Sequence, residues 1–235
     1  MQKEERVSYL ISGGAKKGSR MVIKWLGHAC FLIMSKDAVR IITDPYVVGG
    51  GINYSPIREA VDIVVVSHEH GDHNNVAAVQ GKPEVVKGSG TKTAKGIQFR
   101  GIDTYHDISQ GKERGRNSVF CFNVDNIRLC HLGDLGHLLS LEQIKEIGDV
   151  DVLFVPVGGF YTIDAAEASR VCEQLKPRAI IPMHFKTSKC AYPITGVEDF
   201  LKGKKDVRKA DSSEVEVEME KLPPTSEIIV LKPAS

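Results

Sequence analysis

Asp62-Ile63-Val64-Val65-Val66-Ser67-His68-Glu69-His70-Gly71-Asp72-His73-Asn74 is the stretch on which the reading of this chain turns. Its first half is apolar and β-branched, the signature of a buried strand. Its second half places His68, His70, Asp72 and His73 where that strand ends. Open α/β sheets put their sites at such strand ends. Neutral imidazole and carboxylate together suit a borderline divalent cation such as zinc. Ligands this closely spaced in a turn cannot all reach one ion, so two adjacent ions follow. His68 and His70 would serve one, Asp72 and His73 the other. The plain alternative is a solvated turn, since Gly, Asp and Asn favour turns on their own account.

The pattern His-x-His-x-Asp-His resembles the metallo-β-lactamase superfamily, and the rest of the chain continues the resemblance in order. His106 follows the strand-like Gly96–Asp103, Asp134 follows Ile127–Cys130, and His184 follows Ala179-Ile180-Ile181. The resemblance covers roughly Met21 to Leu231, and several motifs in sequence are more specific than any one alone. It implies that His68, His70 and His106 hold a first metal. Asp72, His73 and His184 would hold a second, with Asp134 bridging. It also implies two divalent ions, zinc first and manganese second, with metal-bound hydroxide as the nucleophile at neutral pH. Asp72 and Asp134 would then be catalytic carboxylates as well as ligands. Strands first and then strand–helix alternation indicate only an α/β protein. The resemblance narrows this to a four-layer αββα sandwich.

Further segments resemble the branch containing the ascorbate-6-phosphate lactonases and the N-acyl phosphatidylethanolamine phospholipases D. These are Gly27-His28-Ala29-Cys30, Thr43-Asp44-Pro45 and His131-Leu132-Gly133-Asp134-Leu135-Gly136-His137. Within them, His28 reads as a pocket residue or as a structural histidine at a strand kink. His131 reads as a partner behind the ligands, and His137 as a group that orients or protonates a leaving group, or as a surface histidine. Glu69 lies between two ligands and points away. The third motif, Tyr105-His106-Asp107, lacks the Pro-Gly-rich turn of the β-lactamases proper, which argues against antibiotic hydrolysis.

The expected function is metal-dependent hydrolysis of a small, anionic ester, lactone or phosphoester. The polar segment Asp107–Asn117 carries Lys112, Arg114 and Arg116, and arginine grips phosphate or carboxylate through a bidentate fork. Lys186 and Lys189 follow His184 and offer a second basic segment; a solvated surface loop is the alternative for the first. Three other functions compete. A phosphodiesterase or nuclease is one, although the larger nucleases carry an extra RNA-gripping domain that this chain is not expected to hold. A diiron-type oxidoreductase is the second, disfavoured because the diiron reductases of the superfamily typically carry a carboxylate where this chain has His70. A non-catalytic metal-binding protein is the third, disfavoured because every expected ligand is intact.

Composition sets the outer bounds. In 235 residues, 42% are hydrophobic and 26% charged, a globular balance, and the net charge of +1 implies no general attraction to nucleic acid or anionic lipid. No apolar run approaches the ~20 residues of a membrane span. The five cysteines lack paired spacing, which suits free thiols in a reducing cytoplasm. The partners expected are a small anionic substrate and, compatibly, further copies of the chain, with no membrane or nucleic acid.

In chain order, Met1–Arg20 reads as a flexible extension with a short strand at Val7–Ile11, and residues 21–235 as a single hydrolase domain. Asn75–Gln80 reads as a short helix, Ser89–Lys95 as a turn-rich connection, and Lys202–Ser213 as loose. Asp125-Asn126 reads as a hairpin turn. Ser140 with Gln143, and Asp164 with Glu167, read as capping boxes opening two helices, the second stopped by Pro177.

Overall fold

The computed structural model describes residues 20–234. The expected strand Val7–Ile11 and nearly all of the N-terminal extension lie outside the described residues. In chain order the strands are β1 (Met21–Gly27), β2 (Cys30–Met34), β3 (Arg40–Thr43), β4 (Ile63–Val66), β5 (Glu84–Lys87), β6 (Gly90–Ala94), β7 (Ile97–Tyr105), β8 (Arg116–Val124), β9 (Ile127–His131), β10 (Val152–Pro156), β11 (Ala179–Met183), β12 (Val207–Lys209), β13 (Glu214–Val217) and β14 (Glu227–Val230). The helices are α1 (Leu141–Ile147), α2 (Ala165–Leu175) and α3 (Val197–Leu201). Among the described residues, no helix is long and apolar enough to cross a membrane.

The strands form a six-stranded sheet, β13-β1-β2-β3-β4-β5, and an eight-stranded one, β12-β14-β11-β10-β9-β8-β7-β6. Strand β4 runs parallel to both β3 and β5, and β10 lies parallel between β9 and β11. Strands in such positions are covered on both faces, which is why they read as continuous apolar runs. In β4, Ile63 and Val65 join the core between the sheets, while Val64 and Val66 join a second core on the opposite face. Phe31 of β2 meets Phe154 of β10 across the sheet interface, with ring centroids 4.5 Å apart.

Helices α1 and α2 open on the capping boxes expected of them, Ser140 with Gln143 and Asp164 with Glu167. Lys176 closes α2 in the left-handed conformation, immediately before Pro177. Ala168, Val171, Cys172 and Leu175 of α2 and Phe200 of α3 bury against the core that includes the second sheet. The outer face of the first sheet is covered differently: Tyr46, Ile52, Tyr54, Ile57 and Val61 of the long β3–β4 connection pack on it.

Three local expectations are corrected. Asn75–Gln80 forms only a 3-10 turn at Val76–Ala78, because Asn75 supplies no side-chain cap and instead donates its Nδ2–H to the Tyr46 carbonyl. Ser89–Lys95 is strand β6, a polar hairpin partner of β7 with only Ala94 buried, so no apolar alternation reveals it. Lys202–Ser213 contains β12, which adds to the sheet edge through β14; its Arg208 and Lys209 are the charges that blunt such an edge. The Asp125-Asn126 turn is as expected, with both residues at positive φ (54° and 68°), the type I′ geometry that closes a two-residue hairpin.

Candidate metal centre

The motif turn leaves β4, His106 follows β7, Asp134 lies just past β9, and His184 follows β11. These strand ends converge on one edge of the two sheets. His68, His70 and His106 place ligand atoms within 4.8 Å of one another, and so do His28, Asp72, His73 and His184. Asp134 stands between the groups: its Oδ2 lies 3.1 Å from His106 Nε2, 3.2 Å from His73 Nε2 and 3.2 Å from His184 Nε2. The structure thus brings together all seven residues expected as ligands. It also brings in His28, whose Nε2 is 3.3 Å from Asp72 Oδ2 and whose ring centroid is 4.0 Å from that of His184.

Asp44, to which the sequence reading gave no role at the site, organises the whole cluster. It is buried at the end of β3, beside the end of β4. It accepts hydrogen bonds from Ser67 N (2.7 Å), Ser67 Oγ (2.6 Å) and His73 Nδ1 (2.9 Å). Ser67 Oγ has one proton and gives it to Asp44, so it must accept from His68 Nδ1, 2.8 Å away. One carboxylate therefore fixes the tautomer of a histidine in each group, leaving Nε2 of both free for a cation. The available signal was the Thr43-Asp44-Pro45 string at a strand end next to the motif strand.

Other side chains hold the backbone. Asn117, buried near the start of β8, accepts from Asp134 N at 3.0 Å and donates to the Leu132 carbonyl at 2.9 Å. His131 sits behind the ligands: its Nε2 donates to the Ala29 carbonyl at 3.0 Å and its Nδ1 accepts from Gly133 N. A Cβ on Gly133 would lie 2.3 Å from Asn117 Oδ1, and one on Gly136 2.3 Å from the His106 carbonyl carbon, so only glycine permits this approach. His28, Asp44 and His184 all adopt positive φ (53°, 40° and 51°), uncommon for non-glycine residues and concentrated at functional sites.

His137 does not reach the cluster as a proton donor. Its Nε2 accepts from Tyr105 N (3.1 Å) and its Nδ1 donates to the Leu138 carbonyl (2.8 Å). Both ring nitrogens are occupied by backbone, and the histidine instead ties down the end of β7 beside His106. Glu69 is exposed and binds Lys87 and Asn74, clear of the ligands.

Electrostatics separate the histidines. Burial lowers His28 to about 4 and His68 to about 3, keeping both imidazoles neutral. Burial acts the same way on His73 and His106, but the Asp134 carboxylate outweighs it and raises both. Of the seven buried side-chain polar atoms lacking a hydrogen-bond partner among the described residues, all but Arg40 Nε belong to His28, His68, His73, His106, Asp134 and His184. An unpaired buried polar group costs roughly 1–3 kcal/mol, and three of these atoms, His68 Nε2, His73 Nε2 and Asp134 Oδ1, belong to side chains that meet within the cluster, which fits a donor set shaped for cations.

The basic loop is held by Asp107, whose carboxylate accepts from the backbone N–H groups of Ser109, Gly111, Glu113 and Arg114. Arg114 is half-buried and lies 5.8 Å from the Tyr161 ring centroid, whereas Lys112 and Arg116 are exposed. Arg114, Arg116 and Lys87 line a groove of about 370 Å³ that His68 and His70 also border. Lys112 does not line it, and Lys186 turns to the Tyr192 carbonyl at 2.6 Å.

A group of three histidines and a group of three histidines with an aspartate stand on either side of Asp134, at the edge of two packed sheets, and together form a candidate metal centre. Comparison with known proteins agrees with that class. Residues 22–184 match the model of the beta-lactamase superfamily domain. A Thermotoga maritima protein described as a candidate Zn-dependent hydrolase of the metallo-β-lactamase superfamily is 37% identical, with a TM-score of 0.74 covering 90% of this chain and 98% of that one. A UPF0173 metal-dependent hydrolase of Pyrococcus abyssi is 30% identical over 197 residues, 70% of this chain and 84% of that relative. A metallo hydrolase of Ignicoccus hospitalis, 20% identical with a TM-score of 0.64 over 92% of this chain and 97% of that one, shares the fold. The chain belongs to the metallo-β-lactamase superfamily.

Proposed function

We propose that this protein is a metal-dependent hydrolase that cleaves a small anionic ester, lactone or phosphoester, in the manner of the ascorbate-6-phosphate-lactonase-like branch. The observation that carries the reading is the position of Asp134 Oδ2, within 3.2 Å of histidines from both ligand groups. His68, His70 and His106 would hold one ion, and Asp72, His73 and His184 the other, with Asp134 between them. His28 is placed to support Asp72. Zinc is the first choice of metal and manganese the second, since His-rich sites accept both and the Irving–Williams order favours zinc. A bound pair of this kind supplies hydroxide at neutral pH and charge to stabilise the leaving oxygen.

The chain's own residues do the rest. Asp44 and Ser67 hold His68 and His73 in one tautomer, and Asn117 fixes the Asp134 backbone. Arg114, Arg116 and Lys87 favour an anionic substrate in the groove beside His68 and His70. His28 and Asp44, from two of the three strings that carried the branch resemblance, stand at the site and support the branch assignment, while His137 of the third string is turned to backbone. The test is metal analysis followed by a screen of the loaded protein against phosphodiester, phosphomonoester and lactone substrates. Turnover lost on chelation and restored by zinc or manganese supports the reading. A folded protein that takes up no divalent metal overturns it.

A further inference from the structure

The hairpin β8–β9 carries two cysteines at its far end from the turn, and their placement follows from the turn. With a two-residue loop, Val124 and Ile127 form the closing hydrogen-bonded pair. Counting back, hydrogen-bonded and non-hydrogen-bonded pairs alternate, so Cys121 and Cys130, which stand directly opposite, form a non-hydrogen-bonded pair. That is the pair type in which facing side chains come closest, with Cα atoms about 4.5 Å apart, inside the range a disulfide spans. The sulfurs are 3.8 Å apart. Arg100 of β7 stands opposite Cys121 on its other side, completing a row Arg100–Cys121–Cys130 across three strands. Cys121 is half-buried and borders a surface cavity of about 550 Å³ that Arg100 and Arg128 also line.

We propose that Cys121 and Cys130 are a redox-active dithiol that a hydroperoxide converts to a cross-strand disulfide. Cys121, the sulfur open to the cavity, attacks a peroxide oxygen; the O–O bond breaks and the departing oxygen leaves as water or alcohol. The resulting sulfenic acid is attacked by the Cys130 sulfur. The S–O bond breaks, hydroxide leaves with the thiol proton as water, and the S–S bond forms. Two thiols lose two electrons in all, and the peroxide gains them.

The protonation pattern fits this division of labour. The neighbouring Cys130 thiol and the Arg100 guanidinium lower the Cys121 thiol, against its burial, while Cys130 itself is raised by Cys121 and by burial. A lowered thiol in a cationic, partly open setting is the reactive kind. The other cysteines are the opposite case: burial raises Cys30 well above the usual thiol range, Cys172 to about 12, and Cys190 as well. They serve as internal controls.

The experiment treats the reduced full-length chain with hydrogen peroxide and maps its thiols by mass spectrometry. Trypsin cleavage after Arg116 and Arg128 separates the two cysteines into different peptides, so a crosslink joins residues 117–128 to residues 129–145. The expected result is this crosslinked pair, two hydrogens lighter and reversed by dithiothreitol, while Cys30, Cys172 and Cys190 stay reduced. In Cys130→Ser the sulfenic acid should persist on Cys121 and be trapped by dimedone; in Cys121→Ser no adduct should form at Cys130. Oxidation spread evenly over the five cysteines, or no Cys121–Cys130 crosslink in the folded wild-type chain, overturns the proposal.

Discussion

Asp44 Oδ2 accepts a hydrogen bond from His73 Nδ1 at 2.9 Å, and this single contact turns the other imidazole nitrogen toward Asp134, 3.2 Å away. The same carboxylate reaches His68 through Ser67 Oγ. Asp44→Asn removes the charge that fixes both tautomers. Loss of such an outer partner typically costs about 10–100-fold in metal affinity or activity. Metal titration of the purified variant, with circular dichroism as the fold control, checks this; unchanged affinity would remove Asp44 from the site.

Asp134→Ala and His70→Ala should each reduce turnover by at least ~100-fold on any substrate the screen identifies, with the chain still folded. The two sheets are cored by other residues, Phe31 and Phe154 among them. Metal content should fall with activity, and wild-type turnover in either variant would show that the residue is not a ligand. His131→Ala should give a milder loss of metal, since its hydrogen bonds go to the Ala29 carbonyl and Gly133 N rather than to a candidate ligand side chain.

Metal uptake should release protons. Asp134 raises His73 and His106 above the ordinary imidazole value of 6.5, so the metal-free site holds protons that a cation must displace. Apparent affinity should therefore rise with pH through the window beginning at 6.5 and extending upward. Calorimetry in buffers of different ionisation enthalpy counts the protons released at neutral pH; a count of zero would contradict the assignment.

Gly133→Ala should cost both stability and metal. Its φ of 55° is unfavourable for an alanine by about 1–2 kcal/mol, and the new Cβ would lie 2.3 Å from Asn117 Oδ1 and 2.5 Å from Ser67 Cβ. Gly203→Ala is the control: φ is 72° but nothing lies within 4 Å, so only the backbone cost remains. Thermal midpoints and metal content of both variants separate the two effects.

Arg114→Ala should raise KM for an anionic substrate more than for a matched neutral one, with metal content unchanged. Lys112→Ala should do little, because Lys112 is exposed and stands off the groove that Arg114 and Arg116 line. Equal effects on both substrates would return the loop to a surface role.

The strand ends that bear His68, His106, Asp134 and His184 were legible because each follows an apolar run, and both capping boxes because their chemistry is local. Strands β6 and β12 were not. Their residues are polar and their stability comes from pairing with β7 and β14, so a hydrophobic pattern had nothing to show. His137 misled for a related reason: three positions from Asp134 in sequence, it has both nitrogens taken by backbone groups that sequence spacing does not reveal.

By itself, the sequence picked out the side chains that converge at the candidate site, because each follows a strand and the strands announce themselves by composition. It also determined the hairpin turn at Asp125-Asn126 and the helix starts, where short-range hydrogen bonds decide the outcome. Only the tertiary structure decided that Asp44 commands a histidine in each group, that His28 joins Asp72, and that Arg114 rather than Lys112 faces the groove. Those relationships depend on which strands lie side by side and which way each side chain turns, and these are set by the packing of two sheets rather than by any local run of residues.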